Sequence, residues 1–171
     1  GTTLIFIKGI NFLVENLIQS MILAFFIISI IMSLLFKNFK MVLISLIPNI
    51  IPLIIAGGIM GYFNIPLKPS SALVFSIVFG ISVDYSIHFL AKFKNELQVK
   101  SVEDSIINTI NQTGRSMIFT SFILFFGFII FAFSNFGGTI VLGVLTSIIL
   151  FVAMITNLTL LPSIILYFYK K

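Results

Sequence analysis

A stripe of five residues spaced four apart carries the groups in this chain that are best suited to acid–base chemistry. In a helix this spacing places every member on one face. Along the stripe, two small residues are followed by a carboxyl group, an imidazole and a lysine ammonium group. A carboxyl group in low-polarity surroundings can exchange protons near neutral pH, and an imidazole titrates in the range needed to relay them. The pattern predicts a proton route along this stripe, which consists of Ser76, Gly80, Asp84, His88 and Lys92.

The stripe lies in a chain that is too apolar for a water-soluble domain. Of the 171 residues, 59% are hydrophobic and only 9% are charged, whereas about 25% of a soluble domain is charged. Five apolar stretches approach or exceed the length of about 20 residues that a membrane helix needs. The sequence therefore predicts an all-α integral membrane protein with one five-helix domain over residues 17–169. The predicted membrane helices cover residues 17–36, 41–63, 70–91, 116–133 and 139–167.

Asp84 is predicted to lie inside the hydrocarbon region of the third membrane helix. At about 1.5 Å per residue it is roughly 21 Å from Ser70 and roughly 12 Å from Lys92. An aspartate at the centre of a membrane helix costs about 2.5–3.5 kcal/mol, which the surrounding apolar residues offset. The helix can therefore insert, but the carboxyl group must face protein or water rather than lipid.

Each residue of the predicted relay also has a structural interpretation. The relay is predicted to contain Asp84, Tyr85 and His88. Ionisable groups inside membrane helices are usually functional, which favours the relay for Asp84 over a simple hydrogen bond between helices. His88 could equally be an interfacial histidine, Tyr85 could donate a hydrogen bond or only pack, and Lys92 fits a charged anchor at the membrane boundary.

Two further segments lie outside the predicted membrane helices. Residues 101–112 have the pattern of a short amphipathic helix on the membrane surface, with Ser101 and Asp104 resembling a capping box. Residues 1–16 are mixed in polarity and are predicted to be the end of a preceding extracytoplasmic segment. The apolar face of the amphipathic helix is predicted to consist of Val102, Ile106, Ile107 and Ile110.

The basic residues predict the orientation of the chain. With the N-terminus outside the cytoplasm, eight Lys and Arg residues fall on the cytoplasmic side and only Lys8 and Lys68 fall outside. This is a strong positive-inside bias, and it accounts for the net charge of +5 without a nucleic-acid partner. The eight cytoplasmic residues are Lys37, Lys40, Lys92, Lys94, Lys100, Arg115, Lys170 and Lys171.

Several other polar or helix-bending residues lie inside the predicted membrane helices. Pro48, Asn49 and Pro52 could form a functional hinge or only a structural kink. Four small polar residues could support Asp84 by hydrogen bonds, or could simply join helices. The chain has no cysteine and no recognisable nucleophile–base set or metal cluster, so neither an enzyme nor a cofactor or metal site is predicted. The possible supporting residues are Thr120, Ser121, Thr146 and Ser147.

Three stretches, taken in order, resemble a known family. "GISVDYSIHFLAKFKNE" resembles the fourth membrane helix of a repeat in the RND superfamily, in the MMPL-type and Patched-like branch. "LISLIPNIIPLIIAGGIMGYFNIPLKPSS" is similar to the second and third spans of that branch, and "TGRSMIFTSFILFFGFIIFAFSNFGG" to its fifth helix. His88 is a departure, since that position is often apolar in the family motif.

The resemblance implies a transporter built from two halves, of which this chain is similar to the five-helix block of the C-terminal half. It implies that Asp84 and Tyr85 belong to a proton relay and face the equivalent helix of the other half of the same transporter, which carries its own porter domain. The implied partners are the lipid bilayer, protons and a hydrophobic or lipid-like substrate, and the implied activity is efflux by proton antiport. The implied location is the bacterial inner membrane, with a periplasmic N-terminus and a cytoplasmic C-terminus.

Two alternatives use the same five-helix block. One is a sterol- or lipid-sensing module that does not transport, and the other is a secretion accessory similar to SecD or SecF. A titratable pair such as Asp84 and His88 at this depth favours the exporter, because a sensor does not need one.

Overall fold

The computed structural model describes residues 2–37 and 39–169, and this part of the chain contains helices and turns but no strand. Five helical rods are long and apolar enough to cross a membrane, which confirms the predicted all-α membrane architecture. The fourth rod is composite and runs from Val102 to Phe133. The α-helices are α1 (Thr2–Phe36), α2 (Phe39–Tyr62), α3 (Pro69–Glu96), α4 (Val102–Thr109), α5 (Arg115–Ile129) and α6 (Gly137–Tyr169), with a π segment at Ile110–Gly114 and a 3₁₀ segment at Ile130–Phe133.

Helix α1 is longer than the sequence predicted. It begins at Thr2, so residues 2–16 form one helix with the first predicted span. No proline interrupts this stretch, so helix formation can continue through its polar positions. The interpretation of residues 1–16 as the end of an extracytoplasmic segment stays a prediction. Lys170 and Lys171, which contribute to the charge bias, lie outside the described residues.

Helix α4 starts where the capping pattern predicted. The hydroxyl oxygen of Ser101 accepts a hydrogen bond from the backbone N–H of Asp104 at 3.2 Å, and the same hydroxyl lies 2.7 Å from the Asp104 carboxylate. The carboxylate also lies in the first turn, where negative charge is favourable. The helix then continues through the π segment into α5, so it is the first part of the fourth rod. Its position on the membrane surface stays a prediction.

The predicted apolar face of α4 is only partly turned toward the protein. Ile106 is buried, but Ile107 and Ile110 are exposed. The buried face instead combines Ile106 with Ser105 and Thr109, because α4 packs against α3 and α6 and these small residues allow a close approach. Of the predicted set, Val102 and Ile106 contact the core.

Helices α2, α3 and α6 form the centre of the molecule, and α1 and α5 lie at its edge. Two apolar clusters fill the interior, one around Phe89 and Leu161 and the other around Val78 and Ile149. Many large apolar side chains of α1 and α5 point away from the protein, as lipid-facing helices require.

Gly143 fixes how closely α6 approaches the fourth rod. A Cβ added at Gly143 would lie 2.6 Å from both the carbonyl oxygen of Phe128 and the Cβ of Phe131. No side chain fits in this space, so only glycine allows the contact. The contact holds α5 beside α6 and so sets the position of the α5 residues that face α3.

Candidate functional site

The predicted stripe lies on an open face of α3. The Asp84 and His88 side chains are 62% and 69% exposed, and Ser76 and Gly80 are exposed beside them. The imidazole Nε2 of His88 lies 3.4 Å from a carboxylate oxygen of Asp84. The structure therefore brings these two titratable groups together, one helical turn apart.

Lys92 continues the stripe but pairs with a different residue. Its ammonium group lies 2.8 Å from one carboxylate oxygen of Glu96, and the Lys100 ammonium group lies 2.7 Å from the other. The Asn108 side chain also reaches Glu96, at 3.4 Å. Glu96 was not singled out from the sequence, and it joins the end of α3 to the segment that leads into α4.

Tyr85 points away from the open face and into the protein. It is buried, and its hydroxyl group forms a hydrogen bond of 2.6 Å with the hydroxyl of Ser121 on α5. Ser121 had been predicted as a possible support for Asp84, but in the structure it contacts Tyr85. The Tyr85–Ser121 hydrogen bond thus joins α3 to α5 immediately beside Asp84.

A cleft of about 500 Å³ separates the Asp84 side of α3 from the π segment and α5. Thr120, another predicted supporting residue, lies in its wall. A π segment widens the helix locally and is frequently found at functional sites. The side of the cleft formed by the π segment and the start of α5 corresponds to the polar run "NQTGRS", which precedes the fourth predicted span in the sequence. The cleft is lined by Asp84, Tyr85, His88, Ala91, Lys92, Asn95, Gln112, Thr113, Ser116, Met117 and Thr120.

Thr146 and Ser147 do not contribute to this cleft. The hydroxyl of Ser147 lies 2.8 Å from the carbonyl oxygen of Gly143 and 3.2 Å from that of Phe125, so it links α6 to α5. The hydroxyl of Thr146 is buried and has no hydrogen-bond partner among the described residues.

A buried polar layer lies on the opposite side of α3 from the open face. The hydroxyl of Ser82 donates to Oδ1 of Asn49 at 2.6 Å, and that of Ser86 donates to Oδ1 of Asn157 at 2.6 Å. The side-chain amide of Asn157 donates to the oxygen of Ser82 at 3.1 Å. These four residues, which we call the polar layer, connect α2, α3 and α6 between the two apolar clusters.

Only Asn49 of the polar layer was singled out from the sequence. It had been grouped with Pro48 and Pro52 as a possible hinge, yet α2 runs through both prolines as one helix. The side-chain amide of Asn49 donates to the carbonyl oxygen of Ser45 at 2.7 Å. The hinge itself stays a prediction. The sequence does contain an indication of the polar layer: Ser82 and Ser86 lie one turn apart on the face of α3 opposite Asp84.

Comparison with known proteins agrees with this architecture. The model of the MMPL family matches residues 13–170, which is nearly the whole chain. The membrane protein MJ1562 of Methanocaldococcus jannaschii is 29% identical over 124 residues, which are 72% of this chain and 32% of that protein. The matched segment thus spans about a third of the length of this curated relative. MMPL proteins are transporters rather than enzymes. The chain belongs to the MMPL family and is a multi-pass membrane module of RND type.

Proposed function

We propose that the chain is the membrane module of an exporter that uses the proton gradient to move hydrophobic or lipid-like molecules, with Asp84 as the coupling group. The single observation that carries the proposal is the placement of the Asp84–His88 pair beside a polar cleft on a membrane helix. Ionisable groups at such depth usually mark ion or proton pathways. Membership of the MMPL family supports transport as the class of activity.

The proposed proton path runs from Asp84 to His88 and then along the cleft. The imidazole lies 3.4 Å from the carboxylate, so a small rotation or one water molecule would allow transfer. The cleft continues to Lys92 and Asn95 at the end of α3, next to the predicted cytoplasmic loop. The titratable side chains that line it are Asp84, Tyr85, His88 and Lys92.

Tyr85 has a positioning role in this proposal. Its ring is buried and its hydroxyl is held by Ser121, so it fixes the distance between α3 and α5 beside Asp84. A change in the charge of Asp84 would therefore act on a packed contact between two helices.

The membrane potential is large enough to drive such a change. It supplies about 2.3 kcal/mol per charge per 100 mV, which is comparable to the cost of about 2.5–3.5 kcal/mol for a charged aspartate at this depth. Uptake of a proton from the extracytoplasmic side would remove that cost, and release toward the cytoplasm would restore it. Alternating protonation can thus switch α3 between two packings.

The orientation and cellular location form part of the same proposal. The charge bias favours an extracytoplasmic N-terminus and a cytoplasmic C-terminus, in the cytoplasmic membrane.

The substrate would be selected outside this block or between it and an equivalent block, since the cleft beside Asp84 is polar.

The substitution Asp84→Asn tests the proposal, because it preserves size and hydrogen bonding but cannot titrate. In the full-length protein it should abolish gradient-driven export of a hydrophobic fluorescent dye from energised vesicles, with normal membrane insertion. Asp84→Glu should retain some activity. Asp104→Asn is the matched control, because the Asp104 carboxylate contacts the N-cap residue Ser101 at the start of α4, away from the cleft, and the change should leave export unchanged. Normal export with Asp84→Asn would show that Asp84 is not the coupling group, whereas an unmodified protein that exports no dye would favour a lipid-sensing module instead.

A further inference from the structure

We propose that a groove between α2 and α6 binds one anionic phospholipid, with an acyl chain along apolar side chains and the headgroup beside Lys68. The groove shares no lining residue with the cleft beside Asp84. The inference therefore rests on the membrane placement of the helices and does not depend on whether transport takes place.

The groove is lined by apolar residues alone. It encloses about 330 Å³. One water molecule takes about 30 Å³ of the liquid, and a methylene group is of similar size, so the space accepts a chain of about ten such groups. Water finds no hydrogen-bonding side chain there, whereas hydrocarbon fits the wall. The lining residues are Ile59, Phe63, Ile65, Ile140, Val141, Val144, Leu145 and Ile148.

The groove has the depth of one leaflet of the bilayer. Helix α6 begins at Gly137, so its lining residues from Ile140 to Ile148 lie roughly 5 Å to roughly 17 Å along the helix axis. The hydrocarbon core is about 30 Å thick, so the groove reaches about the middle of the membrane. Phe63 and Ile148 in its wall are 66% and 42% exposed. The groove is thus open to the surrounding lipid, and its length matches an acyl chain of one leaflet.

At the end near the start of α6, the groove continues into a small polar cavity. Ile65 and Val141 line both spaces, and Lys68 and Ser70 lie in the wall of the second. A Cβ added at Gly138 would lie 2.9 Å from the hydroxyl oxygen of Ser70, so glycine allows the start of α6 to pack against the start of α3. A lipid whose chain lies in the groove would therefore have its headgroup beside Lys68.

The charge of Lys68 favours an anionic headgroup. Its side chain is exposed, and its ammonium group pairs with no carboxylate among the described residues. Lys68 is also one of only two basic residues on the predicted extracytoplasmic side, so the positive-inside bias does not account for it. Basic side chains at the membrane boundary attract anionic lipids. A free phosphate ion would leave the groove empty, whereas an anionic phospholipid supplies both the charge and the chain.

Fluorescence quenching can test this site, because the chain contains no tryptophan. Phe63→Trp places a reporter in the groove wall. Phe133→Trp is the matched control, because Phe133 is exposed at the same end of the bundle and does not line the groove. Full-length protein would be reconstituted into mixed vesicles of phosphatidylglycerol and phosphatidylcholine, with brominated acyl chains on one lipid or the other. After the signal of the unmodified protein is subtracted, the quenching ratio reports which lipid lies beside the reporter.

The expected result is a preference for phosphatidylglycerol of about fivefold at Phe63→Trp and no preference at Phe133→Trp. Adding Lys68→Gln to Phe63→Trp should remove the preference. Adding Lys8→Gln, which removes a charge on the same predicted side, should leave it unchanged.

Three results would overturn the inference. The first is an equal preference at the two reporters, and the second is a preference that survives Lys68→Gln or falls as much with Lys8→Gln. The third is a Phe63→Trp reporter that neither brominated lipid quenches, which would mean that protein rather than lipid covers the groove.

Discussion

Asp84 and His88 are separated by one helical turn, and their contact of 3.4 Å is the first step in the proposed proton path. Their pairing could be predicted from sequence, because residues four apart in a helix are neighbours. What covers them could not be predicted from spacing alone, since the opposing surface depends on how separate helices assemble.

The substitution His88→Ala should slow proton release and displace the pH optimum of export. The reason is that it removes the titratable group next to Asp84 but leaves the carboxyl group in place. The loss of activity should be smaller than with Asp84→Asn. Export rates of the full-length protein measured between pH 5 and pH 8 would show the displacement, and a profile identical to that of the unmodified protein would make His88 an interfacial residue.

Tyr85→Phe removes one buried hydrogen bond and preserves the ring. The expected cost is about 0.5–1.5 kcal/mol in the free energy of unfolding, because the hydroxyl of Ser121 also loses its partner. Ser121→Ala removes the same bond from the other side and is the matched variant. Thermal unfolding in detergent should show that the double variant is no less stable than either single variant. Fully additive losses would mean that the two hydroxyls do not act as a pair.

At the scale of the elements, the polar layer holds α3 against α2 and α6. The sequence predicted the five spans well, because long apolar runs have few alternatives in a membrane. It did not predict Asn157 or its serine partners, because polar groups from three separate helices meet only after packing. The π segment was also missed, since the polar run at 111–116 does not distinguish a π turn from a loop.

Asn157→Leu should destabilise the helix bundle by about 1–2 kcal/mol, since each hydrogen bond between membrane helices contributes about 0.6 kcal/mol and Asn157 serves both Ser82 and Ser86. Thr159→Val is the control, because Thr159 is exposed and bonds only to a carbonyl of its own helix. Unfolding of both variants in detergent would be compared. Equal stability of the two would show that the layer contributes nothing to packing.

Gly143→Ala should destabilise the molecule by about 1–3 kcal/mol, because the new Cβ would overlap the backbone of the fourth rod. Gly127→Ala is the matched control, since a Cβ at Gly127 meets nothing within 4 Å and alanine is the better helix former. Melting temperatures of the two variants should therefore change in opposite directions. A neutral Gly143→Ala would mean that α6 and the fourth rod pack less closely than described.

At the scale of the whole molecule, the two ends of the bundle differ in charge. Most of the basic residues lie in two connections, the one between the first and second predicted spans and the one between the third and fourth. The connection at residues 63–68 carries only Lys68. Single cysteines at Asn64 and at Lys100 should therefore react from opposite sides of the membrane. An impermeant thiol reagent added outside intact cells should label position 64 and not position 100. Labelling of position 100 alone would reverse the orientation.

The coupling of protons to export tests the central claim most directly. Full-length protein would be reconstituted into vesicles, and proton flow and dye export would be measured in the same sample, for the unmodified protein and for Asp84→Asn. The account predicts that the unmodified protein moves protons only together with the dye, and that both movements stop in Asp84→Asn while the amount of inserted protein is unchanged. Export by Asp84→Asn at a normal rate that still depends on the proton gradient would contradict it.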